Sequence, residues 1–302
     1  MTMDGRVEIV RNLLGDLLSP VSVMDIGAMP EGDERYAPMV AAGIASVVGF
    51  EPNLEHADKL SERPGWRFLP YFLGNGEAGT FHVTAYPGCC SLFEPDPEVI
   101  DLFTGIRASP DHVGSFTVQE TVPVETRRLD DIDGAGFPDL VKLDIQGAEL
   151  DVLRHGMQRL SRCTIIECEA EFIALYKGQP LFGDIQSFLA SQGFVLHKFI
   201  DVAGLPLRPF AHLEQAYRPV SQLLWADAVF VRDFSRLDAL DDGQLAKAVL
   251  ILDVVYRSYD LAAFFLGELD RRRGGDLTEA YLQSVQSASP DDLLVMNWRP
   301  FA

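Results

Sequence analysis

The 302-residue sequence is poor in cysteine, in basic residues and in long apolar runs, and each shortage narrows what the chain can be. Its four cysteines are Cys89 and Cys90, which are adjacent, and Cys163 and Cys168, which lack CxxC spacing. They cannot build a disulfide framework and read as reduced, buried thiols. The six histidines are scattered, and no His/Cys arrangement carries zinc-ligand spacing. No apolar run approaches the ~18 residues of a membrane-spanning helix. The first residues include Asp4, Arg6 and Glu8 and lack the apolar centre of a signal peptide. The expectation is a cytoplasmic protein. Lys and Arg total 25 against 45 Asp and Glu, a formal charge of −20. Beyond Arg271-Arg272-Arg273 there is no basic tract to neutralise phosphates, so duplex nucleic acid and anionic membranes are poor matches.

What is present is ordinary globular material, 47% hydrophobic and 23% charged. Val7, Val10, Leu13, Leu14 and Leu17 recur at helical spacing, which predicts an N-terminal helix over 4–18. Apolar strands then alternate with helices. The strands are expected at Val21–Ile26, Ile44–Phe50, Trp66–Leu69, Phe81–Tyr86, Phe116–Glu125, Leu140–Asp144 and Thr164–Cys168. Helices are expected over Tyr36–Ala42, from Asn53 to Leu60, from Ala148 through Met157, and from a cap at Asp184 to Gly193. Strands apolar on both faces predict an α/β fold with a mostly parallel sheet covered on both sides. Phe194–Ile200 and Ala228–Val231 suit an antiparallel closing pair. From Leu237 the pattern is helix only. Leu245–Leu266 reads as one helix whose apolar residues cover most of its girth, either buried or awaiting a partner. A boundary near 236 thus separates a domain over 1–236 from a helical extension over 237–302, through which a homodimer is expected.

In an open parallel sheet, ligands bind beyond the carboxyl ends of the strands. The turn Asp25-Ile26-Gly27-Ala28 lets backbone approach a ligand closely, and the absence of GxGxxG disfavours a diphosphate cradle. Glu51 follows Gly27 by 24 residues, at the end of the second strand, where an acid suits a ribose diol. Both features serve equally as a plain strand–helix turn and a solvated acid; together they favour an adenosine-type cofactor. Lys142 and Asp144 share one face of their strand, with Asp144 at its carboxyl end and Glu149 in the first turn of the next helix.

The segments "VMDIGA", "VVGFEPN", "ETRRLDDI", "LVKLDIQGAELDVLRHG" and "IIECEAEF" occur in that order over about residues 21–233. In this respect the chain resembles the FkbM family of S-adenosylmethionine-dependent methyltransferases. The resemblance implies a class I methyltransferase-like (Rossmann-like) sheet of seven strands, the last antiparallel. It implies O-methylation of a hydroxyl on a sugar, polyketide or similar small molecule. Carried over, Asp25, Gly27 and Ala28 line the methionine part of the cofactor. Glu51 holds the ribose, Pro52 and Asn53 lie beside the adenosine, and Leu73 and Gly74 flank the adenine. Two departures stand out: "GAMPEG" replaces the usual "GANxG", and Gln146 stands where glutamate is common.

A hydroxyl nucleophile must lose its proton to a positioned base. Asp144 is the first choice for that base or for an orienting group, and Glu169 is the second. Two acids at one rim also open a magnesium-assisted route, the less favoured alternative; no metal ligands are assigned. Substrate contacts are expected from the segment 87–115, with His112 its best-placed histidine, and from Tyr176 and Lys177. Two rival readings remain: a nicotinamide-dependent oxidoreductase, and a non-catalytic binding or assembly module on the same fold.

Overall fold

The computed structural model describes residues 3–28, 34–109, 113–212 and 218–288. Helix α1 (Met3–Leu14) leads into β1 (Val21–Ile26), α2 (Ala37–Ala41), β2 (Ala45–Phe50), α3 (Leu54–Ser61) and β3 (Trp66–Leu69). A lateral excursion follows: β4 (Phe72–Leu73), β5 (Ala78–Thr84), the one-turn α4 (Pro97–Ile100) and β6 (Val118–Arg127). The main sheet resumes with β7 (Leu140–Leu143), α5 (Glu149–Arg154), β8 (Ile165–Glu171), α6 (Phe182–Ser191), β9 (Phe194–Gly204) and β10 (Leu223–Arg232). Helices α7 (Asp242–Val254), α8 (Tyr259–Arg273) and α9 (Leu277–Ala288) complete the described chain.

Seven strands form one sheet in the order β3-β2-β1-β7-β8-β10-β9. Strand β1 pairs in parallel with β2 and β7, and β7 in parallel with β8. Strand β10 runs antiparallel to both β8 and β9. This is the mostly parallel seven-stranded sheet with an antiparallel last strand that the sequence implied. The chain leaves β1 for β2 on one side and returns to β7 on the other. The gap between β1 and β7 is therefore the switch point, where such sheets hold ligands.

Side-chain alternation explains the two-sided core. Val21, Val23, Leu140, Ile165, Val229 and Val231 face α1, α7, α8 and α9 in one cluster. Met24, Ile26, Val141, Leu143, Ile166 and Phe230 face α5 and α6 in another. On the first face the pattern turns polar near the carboxyl rim, where Asp25, Lys142 and Glu167 lie side by side in register. Buried Arg6 of α1 donates to Asp253 of α7 at 2.6–3.0 Å, and the Tyr281 hydroxyl of α9 reaches the same carboxylate at 2.6 Å.

Several expected boundaries moved. The single helix over Leu245–Leu266 is two helices, broken where Arg257 takes a left-handed φ of 51°. No glycine or proline marks that break. The girth of α7 is buried almost throughout, against the chain's own sheet and helices. Asp184 does not cap α6. Leu181 is the N-cap, and Asp184 sits three residues on, accepting the Leu181 N–H at 3.0 Å. Met157 lies beyond the end of α5. Segment 87–115, where described, is held by local packing. It carries α4 and a small core in which Ile100, Phe103, Ile106 and Phe116 pack on Tyr176 and Leu205.

Candidate active site

A cavity of about 490 Å³ opens at the switch point, a size typical of small-molecule sites. Its floor is the turn after β1, the end of β2 and the turn after β7, through Gly27, Phe50, Glu51, Asp144 and Gln146. Its roof comes from the three-stranded sheet β4-β6-β5 and the turn beyond it, through Phe72, Leu73, Phe81, Val83 and Leu92.

Gly27 is where the two floor turns meet. Its N–H donates to the Phe50 carbonyl at 3.1 Å, and its φ is +88°. A Cβ there would lie 1.8 Å from the Asp144 carbonyl oxygen, so backbone touches backbone and only glycine fits. Ala28 donates to the same Phe50 carbonyl but is buried against Ala57, Leu60 and Phe68, behind the cavity wall. Asp25 also lies behind the wall. Burial pushes its carboxyl upward, and its Oδ2 accepts from the Tyr36 hydroxyl. Its Oδ1 has no hydrogen-bond partner among the described residues. The "GAMPEG" path after Ala28 falls outside the described residues.

Glu51 stands in the wall with Pro52, Asn53 and His56. Burial pushes its carboxyl up to about 7, opposed by the Asn53 N–H, which donates to Oε1 at 2.7 Å. Leu73 lines the cavity, whereas Gly74 donates to the Arg127 carbonyl and packs on Thr126, holding β4 to β6.

Asp144 continues β7 into the wall, its N–H donating to the Ile26 carbonyl at 3.0 Å. Its Oδ2 lies 3.9 Å from Lys142 Nζ, and its Oδ1 accepts from Gln146 Nε2 at 3.0 Å. Glu169 stands one strand over and accepts from the same Gln146 nitrogen. Burial, then the charges of Asp144 and Glu171, raise the Glu169 carboxyl well above the usual range. Glu149 is no ligand: its carboxylate accepts the Ile145 and Gly147 N–H groups at 2.9 and 2.8 Å and fastens the turn between them.

Of the expected substrate residues, Tyr176 and Lys177 do not line the cavity. Tyr176 is fully buried behind Gln146, its hydroxyl 3.0 Å from the Cys89 carbonyl and 3.1 Å from Gln146 Oε1. Lys177 points outward to an ion pair with Glu94 at 2.7 Å. His112 lies outside the described residues.

Residues 25–196 match the Methyltransferase FkbM domain, more than half of the chain. The chain belongs to the FkbM methyltransferase family. Over 169 residues it is 37% identical to the 2-O-methyltransferase NoeI of Sinorhizobium fredii (strain NBRC 101917 / NGR234). That alignment covers 52% of this chain and 66% of NoeI, just under two thirds of the relative's length. Among solved structures it is similar to StiE O-MT residues 961–1257, with a TM-score of 0.37, 13% identity, and 82% and 80% of the two chains covered. A precorrin-6y C5,15-methyltransferase from Geobacter metallireducens GS-15 aligns with a TM-score of 0.35 and 14% identity over 75% of this chain and 86% of that one. Nothing about function follows from likeness at that level.

Sequence reasoning missed the roof of this FkbM-family site. Phe81 and Val83 fell within an expected strand, but nothing local showed which way that strand folds back. Gln146 was noted only as a departure, yet its side chain joins Asp144, Glu169 and Tyr176. Arg35 was also missed; it reaches across the rim to Glu167 at 2.8 Å and to Asp201. Among the described residues, no group of three or more His, Cys, Asp or Glu side chains is arranged to hold a metal ion. No helix among them is long and apolar enough to cross a membrane.

Proposed function

We propose that this chain is an S-adenosylmethionine-dependent methyltransferase that transfers a methyl group to a hydroxyl of a sugar, polyketide or similar small molecule. The observation that carries the reading is one cavity, at the switch point of an FkbM-family sheet, walled by the Gly27 turn, Glu51 and Asp144. The residues fit such a cofactor. Gly27 brings the turn after β1 into backbone contact with the Asp144 turn at the cavity floor, Glu51 offers a carboxylate for a ribose diol, and Phe72 and Leu73 offer an apolar surface for a base. Asp25, with an unpaired buried oxygen behind the turn, suits a structural or water-mediated part in holding the methionine end. The hydroxyl preference is supported by the 2-O-methyltransferase relative.

When bound, S-adenosylmethionine supplies a sulfonium methyl group open to in-line displacement. The chain's own task is to align a hydroxyl, exclude water and take the proton. Asp144 suits the last role, because its side chain is about a third exposed at the wall while its backbone is fixed by β1. The apolar roof suits the exclusion of water from the reacting atoms.

Calorimetry with S-adenosylhomocysteine on the purified chain tests the cofactor reading. Saturable binding is expected; no heat and no thermal shift at millimolar ligand would overturn it. Fluorescence titration with NADH separates the oxidoreductase alternative, which lacks a diphosphate cradle in this turn. Cofactor binding with no methyl transfer to any hydroxyl acceptor would favour a non-catalytic module.

A further inference from the structure

Gln146 sits at a crossing point that no local sequence rule demands. It lies in the turn after β7 with a φ of 60°, a left-handed backbone that few non-glycine residues adopt. Such a conformation is strained and persists where its surroundings enforce it. Here they do. The Ser91 hydroxyl donates to the Gln146 carbonyl at 2.6 Å, and the Glu149 carboxylate grips the N–H groups on either side. The Gln146 Nε2 donates to Asp144 Oδ1 at 3.0 Å and to Glu169 Oε2. Its Oε1 lies 3.1 Å from the Tyr176 hydroxyl, which in turn lies 3.0 Å from the Cys89 carbonyl in the turn under the roof.

The chemistry of this side chain matters as much as its place. A carboxamide NH₂ carries two hydrogens, one for each carboxylate, and adds no charge. An ionised glutamate here would donate nothing and would add a negative charge beside Asp144 and Glu169.

We propose that Gln146 is the positioning residue of the acceptor end. Its carboxamide holds Asp144 and Glu169 as one hydrogen-bonded group, and the Ser91 hydroxyl ties its backbone to the turn beyond β5. Burial and the Asp144 charge push the Glu169 carboxyl well above the usual range, which favours its neutral form beside Asp144. Asp144 is then the cavity-facing acceptor. This deepens the methyl-transfer reading and rests on it for the meaning of the acceptor end; the arrangement itself can be tested without an acceptor.

The experiment uses the full chain with ¹³C-labelled glutamate carboxyls, followed by NMR against pH. Glu169→Gln identifies the Glu169 signal. In Gln146→Glu, the Glu169 midpoint is expected to rise by about one pH unit, the scale of a lost donor plus a neighbouring charge. Gln146→Leu should raise it by a smaller step, from loss of the donor alone. An unchanged Glu169 midpoint in Gln146→Glu would overturn the proposal. Should Gln146→Leu fail to fold, the near-isosteric Gln146→Glu still decides. Failure of the unaltered chain to bind S-adenosylhomocysteine would sink the cofactor reading alone and leave the carboxyl comparison standing.

Discussion

Glu51 should make cofactor binding pH-dependent near neutrality. Its carboxyl is pushed up to about 7 by burial in the cavity wall, and only the Asn53 N–H opposes that. The ionised form is the one that accepts two ribose hydroxyls. Binding therefore favours deprotonation, so affinity is full above pH 7 and is lost as the pH falls through 7. With a midpoint near 7 the ionised fraction drops about tenfold from pH 8 to pH 6, or about 1.4 kcal/mol of binding. Glu51→Gln should weaken S-adenosylhomocysteine by roughly 1–3 kcal/mol at pH 8, the difference between charged and neutral acceptors, and should remove the slope. The same variant should unfold at higher temperature at pH 8. A carboxyl raised above its unfolded value makes the fold lose stability as pH climbs through that interval, and the amide escapes this. Calorimetry at pH 6, 7 and 8 reads the binding, with His56→Gln as a control because His56 Nδ1 lies 3.9 Å from Glu51 Oε1. A flat profile in the unaltered chain, or the same slope in Glu51→Gln, would refute the reasoning.

Gly27→Ala should abolish S-adenosylhomocysteine binding and lower the Tm, since its Cβ meets the Asp144 carbonyl at 1.8 Å in a positive-φ turn; a variant that binds normally would show that the turn yields. Asp144→Asn should cut methyl transfer by about 10²–10⁴, the range of general-base catalysis, with S-adenosylhomocysteine affinity within about threefold; undiminished turnover removes Asp144 from the base role. Asp253→Ala strands the buried Arg6 guanidinium and should destabilise the fold by about 3–5 kcal/mol in denaturant unfolding, with little effect on cofactor affinity.

What could be read from the sequence was local or periodic. Strands β1, β7 and β8 are covered on both faces, so their apolar runs stand out, and the rim follows from knowing where each strand ends. Gly27 and Glu51 were visible because a tight turn and an acid at a strand end are signals within a few residues of themselves. The roof was not visible. Strand β5 is largely half-exposed, and its partner β6 lies more than thirty residues further along the chain, so its position over the cavity is a fact of topology. Tyr176 looked like a substrate contact because it follows β8; instead the small core around Ile100 and Phe103 swallows its ring and leaves only its hydroxyl to work, through Gln146. The break between α7 and α8 hid because it falls on an arginine, a residue that carries no turn signal.

The polar stretch of the sheet beneath Asp144 explains why so many acids can gather there. Asp25, Lys142 and Glu167 are register neighbours on one face, with Asp144 next along β7. Burial alone would lower the Lys142 ammonium, but Asp25, Asp144, Glu167 and Asp227 together keep it raised and therefore charged. Arg35 adds a second cation from the far side, held by Glu167 and within 3.8 Å of Asp227. Tyr256, just past the end of α7, donates to Glu167 at 2.8 Å, so the helical segment that fills the apolar half of this face also reaches its charged half. The carboxylates at the rim are thus compensated from below by Lys142 and Arg35, while Asp227, pushed up to about 7 by burial and then by the Glu167 charge, is the member of this layer whose charge changes through the neutral range.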